Sequence, residues 1–220
     1  MMNNKAFLFD LDGTLIDTMP WHFKTWQLVV SEMGSPLQGD ALMKELYGNG
    51  AELMNRLVPG RIFTEEEAKA IVDAKEERYR QLYGKQITVL EGAREFLEEA
   101  FKLQIPMGIG TASNQANIDF ALDQLQIRSY FTGIVGADDV QLSKPHPETW
   151  LKLADALQTP PEQCIVFEDA PKGVEAAQKA GMKAIAITGH YTANDFGEYD
   201  NVLKIVPSLN ALQVRDFLYL

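Results

Sequence analysis

Four short clusters hold the residues of this chain that could do chemistry. They are Asp10-Leu11-Asp12-Gly13-Thr14, Thr111-Ala112-Ser113-Asn114, Ser143-Lys144-Pro145 and Glu168-Asp169. Two carboxylates two residues apart, Asp10 and Asp12, can divide a reaction between a nucleophile and a general acid and base. Lys144 offers a point charge for a phosphoryl group and for a carboxylate nucleophile. Thr111 precedes a helix start, where a hydroxyl and backbone N–H groups can hold phosphate oxygens, or where the threonine simply caps the helix. Converging carboxylates repel one another unless a cation joins them, and Mg²⁺ suits an all-oxygen donor set. Positioning and charge neutralisation are what phosphoryl transfer needs most.

These clusters come together only if the chain places them. Lys5–Asp10 is a short apolar run that ends on a carboxylate, and it reads as a buried strand followed by a turn at Gly13. From Thr18 to about Gly84 the periodicity is helical. Helices are predicted near Met19–Met33, Asp40–Tyr47, Ala51–Leu57 and Glu65–Tyr83, with Thr18 as an N-cap of the first. Thr64 followed by Glu65, Glu66 and Glu67 is a capping-box pattern. After Gly92 helices alternate with strands. Helices are predicted at Gly92–Lys102, Asn114–Leu125, Pro147–Leu157 and Pro171–Ala180, and strands at Ile105–Thr111, Thr132–Gly136, Gln163–Phe167 and Lys183–Thr188. A short strand near Leu203–Val206 and a terminal helix complete the series. Short apolar runs separated by helices imply βαβ units and a parallel sheet covered on both faces. The first strand must join that sheet, so the helical stretch reads as an insertion. The expected organisation is an α/β, Rossmann-like core from residues 1–14 and 89–220, with an all-helical domain over 15–88. Ligands of such sheets bind at the carboxyl ends of the strands, and all four clusters stand at those ends. Asp138 and Asp139, after the third strand, read more readily as loop caps.

Composition narrows the classes. The 31 acidic and 20 basic residues give a formal net charge of −11. Nucleic-acid binding rests on Lys and Arg neutralising phosphates, so nucleic acid and anionic membrane surfaces are unexpected partners. The single cysteine, Cys164, allows no intrachain disulfide and no cysteine zinc cluster. It suits a reducing, cytoplasmic setting. No apolar run is long enough for a signal peptide or a membrane span. No obligate protein partner is evident. The segment Gly108-Ile109-Gly110-Thr111-Ala112-Ser113 resembles a dinucleotide loop, but Ser113 replaces the third glycine and the segment follows the second strand.

Taken together, DLDGT, the hydroxyl of Thr111, SKP and ED, in this order on successive strand ends, resemble the haloacid dehalogenase superfamily of phosphatases and phosphomutases. The resemblance spans essentially the whole chain. It is nearest to the β-phosphoglucomutase-like branch with a helical cap, to which FDLDGTLIDT, the pair His22 and Trp26, and EDAPKGVEAAQKAGM also compare. The resemblance implies that Asp10 forms an aspartyl-phosphate and that Asp12 is the acid and base. It implies that Thr111 and Ala112 bind the transferring group and that Lys144 neutralises it. Mg²⁺ would be held by Asp10, the Asp12 carbonyl and Asp169, with Glu168 close by. Asp12 and Asp169 together favour phosphoryl transfer over carbon–halogen cleavage.

The same resemblance makes His22, Trp26, Asn49, Lys75, Ser113 and Asn114 candidate substrate contacts. Each has a plainer reading. His22 and Trp26 share one helix face, and Trp26 equally fits core packing. Lys75 lies in the run AKEERYR, which also reads as a solvated helix face. Ser113 and Asn114 equally read as helix caps. In the mutase branch an arginine holds the substrate's second phosphate. Here Ala51 aligns with it, and no arginine follows before Arg56. The expectation is therefore a Mg²⁺-dependent phosphatase for a small phosphorylated sugar or polyol, with a β-phosphoglucomutase-like mutase as the alternative.

Overall fold

The computed structural model describes residues 5–46 and 50–218. The chain forms two compact units, one from Met1–Asp17 and Ile87–Leu220, the other from Thr18–Gln86.

The first unit is a parallel six-stranded sheet in the order β3-β2-β1-β4-β5-β6. Its strands are β1 (Ala6–Phe9), β2 (Met107–Gly110), β3 (Gly133–Val135), β4 (Cys164–Glu168), β5 (Lys183–Ile187) and β6 (Val202–Val206). The helices between them are α5 (Ala93–Lys102), α6 (Gln115–Leu125), α7 (Glu148–Ala156) and α8 (Pro171–Lys179). Strand alternation sorts β1 into two faces. Phe7 and Phe9 meet Phe96, Phe167 and Phe217 in a cluster of stacked and edge-on rings. Ala6 and Leu8 face the opposite way, among Cys164, Val166, Trp150, Leu153 and Val174. Each fully buried phenyl side chain contributes roughly 2–3 kcal/mol.

That parity also fixes the strand ends. Leu8 pairs with Val166 and Phe9 with Phe167, so the next residues in line, Asp10 and Glu168, emerge on the Leu8 face. The Asp10 amide N–H extends the ladder by donating to the Phe167 carbonyl at 2.9 Å. The residues that lead out of the sheet and back pair with each other. Ile16 bridges Val89 in antiparallel fashion, and Asp17 N–H donates to the Thr88 carbonyl at 2.9 Å. This pairing keeps residues 15–17 and 87–88 with the sheet unit.

The second unit is helical: α1 (Met19–Glu32), α2 (Gly39–Glu45), α3 (Gly50–Leu57) and α4 (Glu65–Tyr83). Its core holds Trp26, Val30, Leu42, Met54, Leu57 and Phe63. The capping box at α4 is formed, with Glu67 N–H donating to Thr64 Oγ1 and Thr64 N–H donating to the Glu67 carboxylate.

Two expectations are corrected. Thr18 precedes α1, but its side chain makes no capping bond, because its backbone is already near-helical. The expected terminal helix is two short 3-10 turns, Leu209–Ala211 and Val214–Phe217, separated by extended Leu212. No helix among the described residues is long and apolar enough to cross a membrane.

Candidate active site

The carboxyl ends of β1, β2 and β4 and the loop before α7 deliver one cluster of side chains, all within the sheet unit. At its centre is the Lys144 ammonium. It donates to Asp10 Oδ1 at 2.8 Å, to Glu168 Oε1 at 2.7 Å and to the Gly110 carbonyl at 3.0 Å. Three N–H bonds thus meet three acceptors from three neighbouring strands. Asp10, Glu168 and Asp169 are all buried. The second Glu168 oxygen accepts from Ala170 N–H at 2.7 Å. Both oxygens of Glu168 are therefore engaged by the protein, which makes it a holder of Lys144 more than a free metal ligand. Asp169 accepts from the Thr14 hydroxyl at 3.3 Å. It lies so close to Gly13 that a Cβ there would run into its carboxylate, and Gly13 has φ +91°, a conformation glycine tolerates.

The electrostatics follow from burial. Desolvation pushes the Asp10 carboxyl up to about 7, the neighbouring Glu168 and Asp12 charges add to the rise, and Lys144 opposes it. Asp169 is raised well above the usual carboxylate range by burial and by Glu168 and Asp10. For Lys144 burial works against the charge, but Asp10 and Glu168 outweigh it and its pKa rises. The pocket thus contains more buried carboxylate than its one ammonium can neutralise. That is the donor chemistry of a divalent-cation site. Among the described residues no three His, Cys, Asp or Glu side chains form a metal cluster by themselves. Such a site would be completed by a backbone carbonyl and waters, in keeping with the way Mg²⁺ is usually bound.

The second cluster closes on the first through Asp12, whose Oδ2 accepts from the Ser113 hydroxyl at 2.5 Å. Ser113 N–H in turn donates to the Thr111 hydroxyl at 3.1 Å. Thr111 is buried and Ala112 exposed at the same turn. Asn114 caps α6, its side-chain oxygen accepting from Asn117 N–H at 2.9 Å. Asp138 and Asp139 are caps as well, accepting from Gln115 N–H and Gly136 N–H. Cys164 is buried in β4, and desolvation pushes its thiol up to about 12, which makes it inert at neutral pH.

The helical unit holds the other candidates. Lys75 is 2% exposed, with its ammonium 2.7 Å from His22 Nδ1 and 2.7 Å from Glu76 Oε1. The His22 ring stacks on Tyr79 at 4.0 Å. The solvated face read for AKEERYR is thus corrected for Lys75: at (i, i+4) it meets Tyr79 on the inner side of α4. Trp26 is buried in the hydrophobic core with the Lys75 ammonium 5.2 Å from its ring, so the structure gives it a packing role. Asn49 lies outside the described residues. The sequence reading missed Thr14, although it stands inside the first cluster; its bond to Asp169 spans 155 positions of sequence.

The model of haloacid dehalogenase-like hydrolases matches residues 7–187. The chain belongs to this family. It is 32% identical over 182 residues to the fructose-1-phosphate phosphatase YqaB of Escherichia coli K12, covering 83% of this chain and 95% of that one. Among solved structures, it is similar to a family IA, variant 3 hydrolase from Entamoeba histolytica, with a TM-score of 0.89, 27% identity and 97% of each chain covered. It is also similar to the β-phosphoglucomutase of Clostridium difficile, with a TM-score of 0.79 and 28% identity, covering 99% of this chain and 97% of that one.

Proposed function

We propose that this hydrolase is a Mg²⁺-dependent phosphatase for a small phosphorylated sugar or polyol, working through an aspartyl-phosphate on Asp10. The observation that carries the reading is the buried Asp10 carboxylate held through one oxygen by Lys144, beside Glu168 and Asp169. Lys144 takes Oδ1 and leaves Oδ2 to attack phosphorus. The ester P–O bond breaks, and Asp12 gives the leaving oxygen its proton. Asp12 then takes a proton from water as that water attacks the phosphorus, and Asp10 is released with inorganic phosphate. Thr111 and the backbone at Ala112 hold phosphoryl oxygens at the α6 end of β2, and Ser113 orients Asp12. Asp10, the Asp12 carbonyl and Asp169 would hold Mg²⁺, which supplies positive charge against the phosphoryl oxygens.

The phosphatase reading is favoured over a mutase by the helical unit. A mutase must also anchor the substrate's second phosphate. At Ala51, where the mutase branch has its arginine, the backbone N–H is taken by the Glu65 carboxylate at 3.2 Å. A carboxylate there repels phosphate. Arg56 lies 3.6 Å from Glu45 in an ion pair. The fructose-1-phosphate phosphatase among the relatives supports a sugar phosphate. A cytoplasmic setting suits the one buried cysteine.

The test is phosphate release from a panel of phosphorylated sugars and polyols, with and without Mg²⁺, for the natural chain and Asp10→Asn. Release that requires both Mg²⁺ and Asp10 is expected. Turnover by Asp10→Asn, or turnover unaffected by removing Mg²⁺, refutes it. Conversion of β-glucose 1-phosphate to glucose 6-phosphate, primed by the bisphosphate, would favour the mutase instead.

A further inference from the structure

Resting on the role just given to Lys144, we propose that Trp150 is a positioning residue for the transfer site, its indole holding the Lys144 ammonium in place between Asp10 and Glu168. Trp150 lies in α7, six residues beyond Lys144, and is 0% exposed. Its ring centroid is 4.1 Å from Lys144 Nζ. Its Nε1–H donates to the Gly173 carbonyl at 3.1 Å. Two glycines make room for this arrangement. A Cβ at Gly110 would meet the indole at 2.6 Å, and the Gly110 carbonyl is the third acceptor of Lys144. A Cβ at Gly173 would run into the Glu168 carboxylate. One side chain therefore touches the lysine, the end of β2 and the first turn of α8 beside Glu168.

The three N–H bonds of Lys144 are already used. What the ring adds is an electron-rich wall where water would otherwise approach the ammonium. Without it, two carboxylates at nearly equal distance compete for the charge, and the ammonium is free to settle on Glu168 and leave Asp10. Lys144 acts on charge that develops during transfer, so its displacement lowers kcat more than it raises KM. A packing role alone would be met by any side chain of suitable volume. The electrostatic role depends on the ring face.

The experiment uses the full-length chain with Mg²⁺ and a sugar phosphate that it hydrolyses. Position 150 is varied as Trp, Phe, Leu and a series of mono-, di- and trifluorotryptophans introduced at that codon. Fluorine drains the ring face with little change in volume. Trp150→Leu is expected to lower kcat about 10-fold or more with KM changed less than about 3-fold, and Trp150→Phe to restore most of it. Across the fluorinated series log kcat should fall steadily with fluorine number, to about 10-fold overall, while thermal midpoints stay within about 2 °C. Upfield ring-current shifts of the Lys144 side-chain protons, present with Trp and Phe and lost with Leu, give a readout independent of turnover. If Trp150→Leu fails to fold, the fluorinated series decides. A flat kcat across that series in an active enzyme overturns this inference alone. An unmodified chain that releases no phosphate overturns the functional reading, and this inference with it.

Discussion

Replacing the proposed nucleophile should make the metal-free protein more stable. Burial and neighbouring charges raise Asp10 from an ordinary 3.8 to about 7. Above pH 7 the folded protein must therefore keep a carboxylate ionised that would prefer its proton. The folded state binds that proton more tightly than the unfolded state, so this group's stabilising contribution is full below about pH 4 and is lost as pH rises through 7. The difference of about 3 pH units sets an upper limit of about 4 kcal/mol at pH 8. Water entry and adjustment of Lys144 toward Glu168 reduce this, and about 2 kcal/mol is a reasonable working value. Asp10→Asn keeps the shape and an oxygen acceptor for Lys144 while removing the charge. Removing one partner of a buried ion pair usually destabilises, because a bare charge remains. Here Glu168 still holds the ammonium at 2.7 Å.

The assay is thermal unfolding in EDTA at pH 8 and at pH 4.5. Asp10→Asn should melt about 4–8 °C above the natural chain at pH 8, with most of that gap closed at pH 4.5. Saturating Mg²⁺ should shift the natural chain upward by more than the variant, since a ligand that binds only the folded state stabilises it by mass action. Turnover should fall about 10⁴-fold or more in the variant. An Asp10→Asn midpoint equal to or below that of the natural chain at pH 8 refutes the electrostatic account of this site.

Lys144→Met should act oppositely, lowering stability by about 3–5 kcal/mol in urea titrations, because Asp10 and Glu168 lose their shared cation. Gly13→Ala should weaken Mg²⁺ binding at least about 10-fold by calorimetry, since its Cβ displaces Asp169 and its φ is positive. Ser113→Ala should lower kcat about 10-fold with little change in KM, because Asp12 loses its one short hydrogen bond to that hydroxyl. Thr64→Ala should cost about 1 kcal/mol of unfolding free energy without changing kcat, because it removes only the capping box of α4.

Local signals account for what the sequence revealed. The helix Glu65–Tyr83 was legible to the residue at both ends, its start because Thr64 and Glu67 form a reciprocal cap. The strands were legible as short apolar runs between helices; β1, β2, β3 and β5 end a residue or two inside the expected runs, whereas β4 runs on to Glu168 and β6 starts at Val202. The C-terminal segment was not. Leu209 and Leu212, and Val214 and Phe217, have helical i, i+3 spacing, but Leu209 is buried from one turn, Leu212 from the extended link and Val214 and Phe217 from a second turn. Tertiary burial there overrode the periodicity. Thr18 misled for a related reason: a good capping residue type does not cap when its own backbone has already turned helical. In the site, residue types and order were readable, and closure was not. That Lys144 bridges Asp10 and Glu168, rather than standing alone, depends on strand parity placing both carboxylates on one face. That Trp150 lies against the same ammonium depends on Gly110, where a Cβ would meet the indole, while Gly173 leaves room for Glu168.

The acidity of the chain takes on a different meaning once its distribution is known. Residues 15–88 carry a net charge of −2 and the remainder −9. In that remainder, Asp10, Glu168 and Asp169 are buried around one ammonium, a formal excess of two negative charges. A phosphate dianion cannot enter such a place by itself, and the site is not built to attract one through long-range charge. One divalent cation, as proposed, would cancel the excess of these three carboxylates over Lys144. On the proposed reading, the pocket would then offer fixed donors at Lys144 and at the β2–α6 turn to a dianion, with much of the carboxylate repulsion removed. The same excess is what makes Asp10 costly to ionise without metal. On the proposed reading, the cost of ionising Asp10 without metal and the need for a cation to admit the phosphate are one property, set by two carboxylates that the sheet places on a single lysine and a third, Asp169, buried beside them.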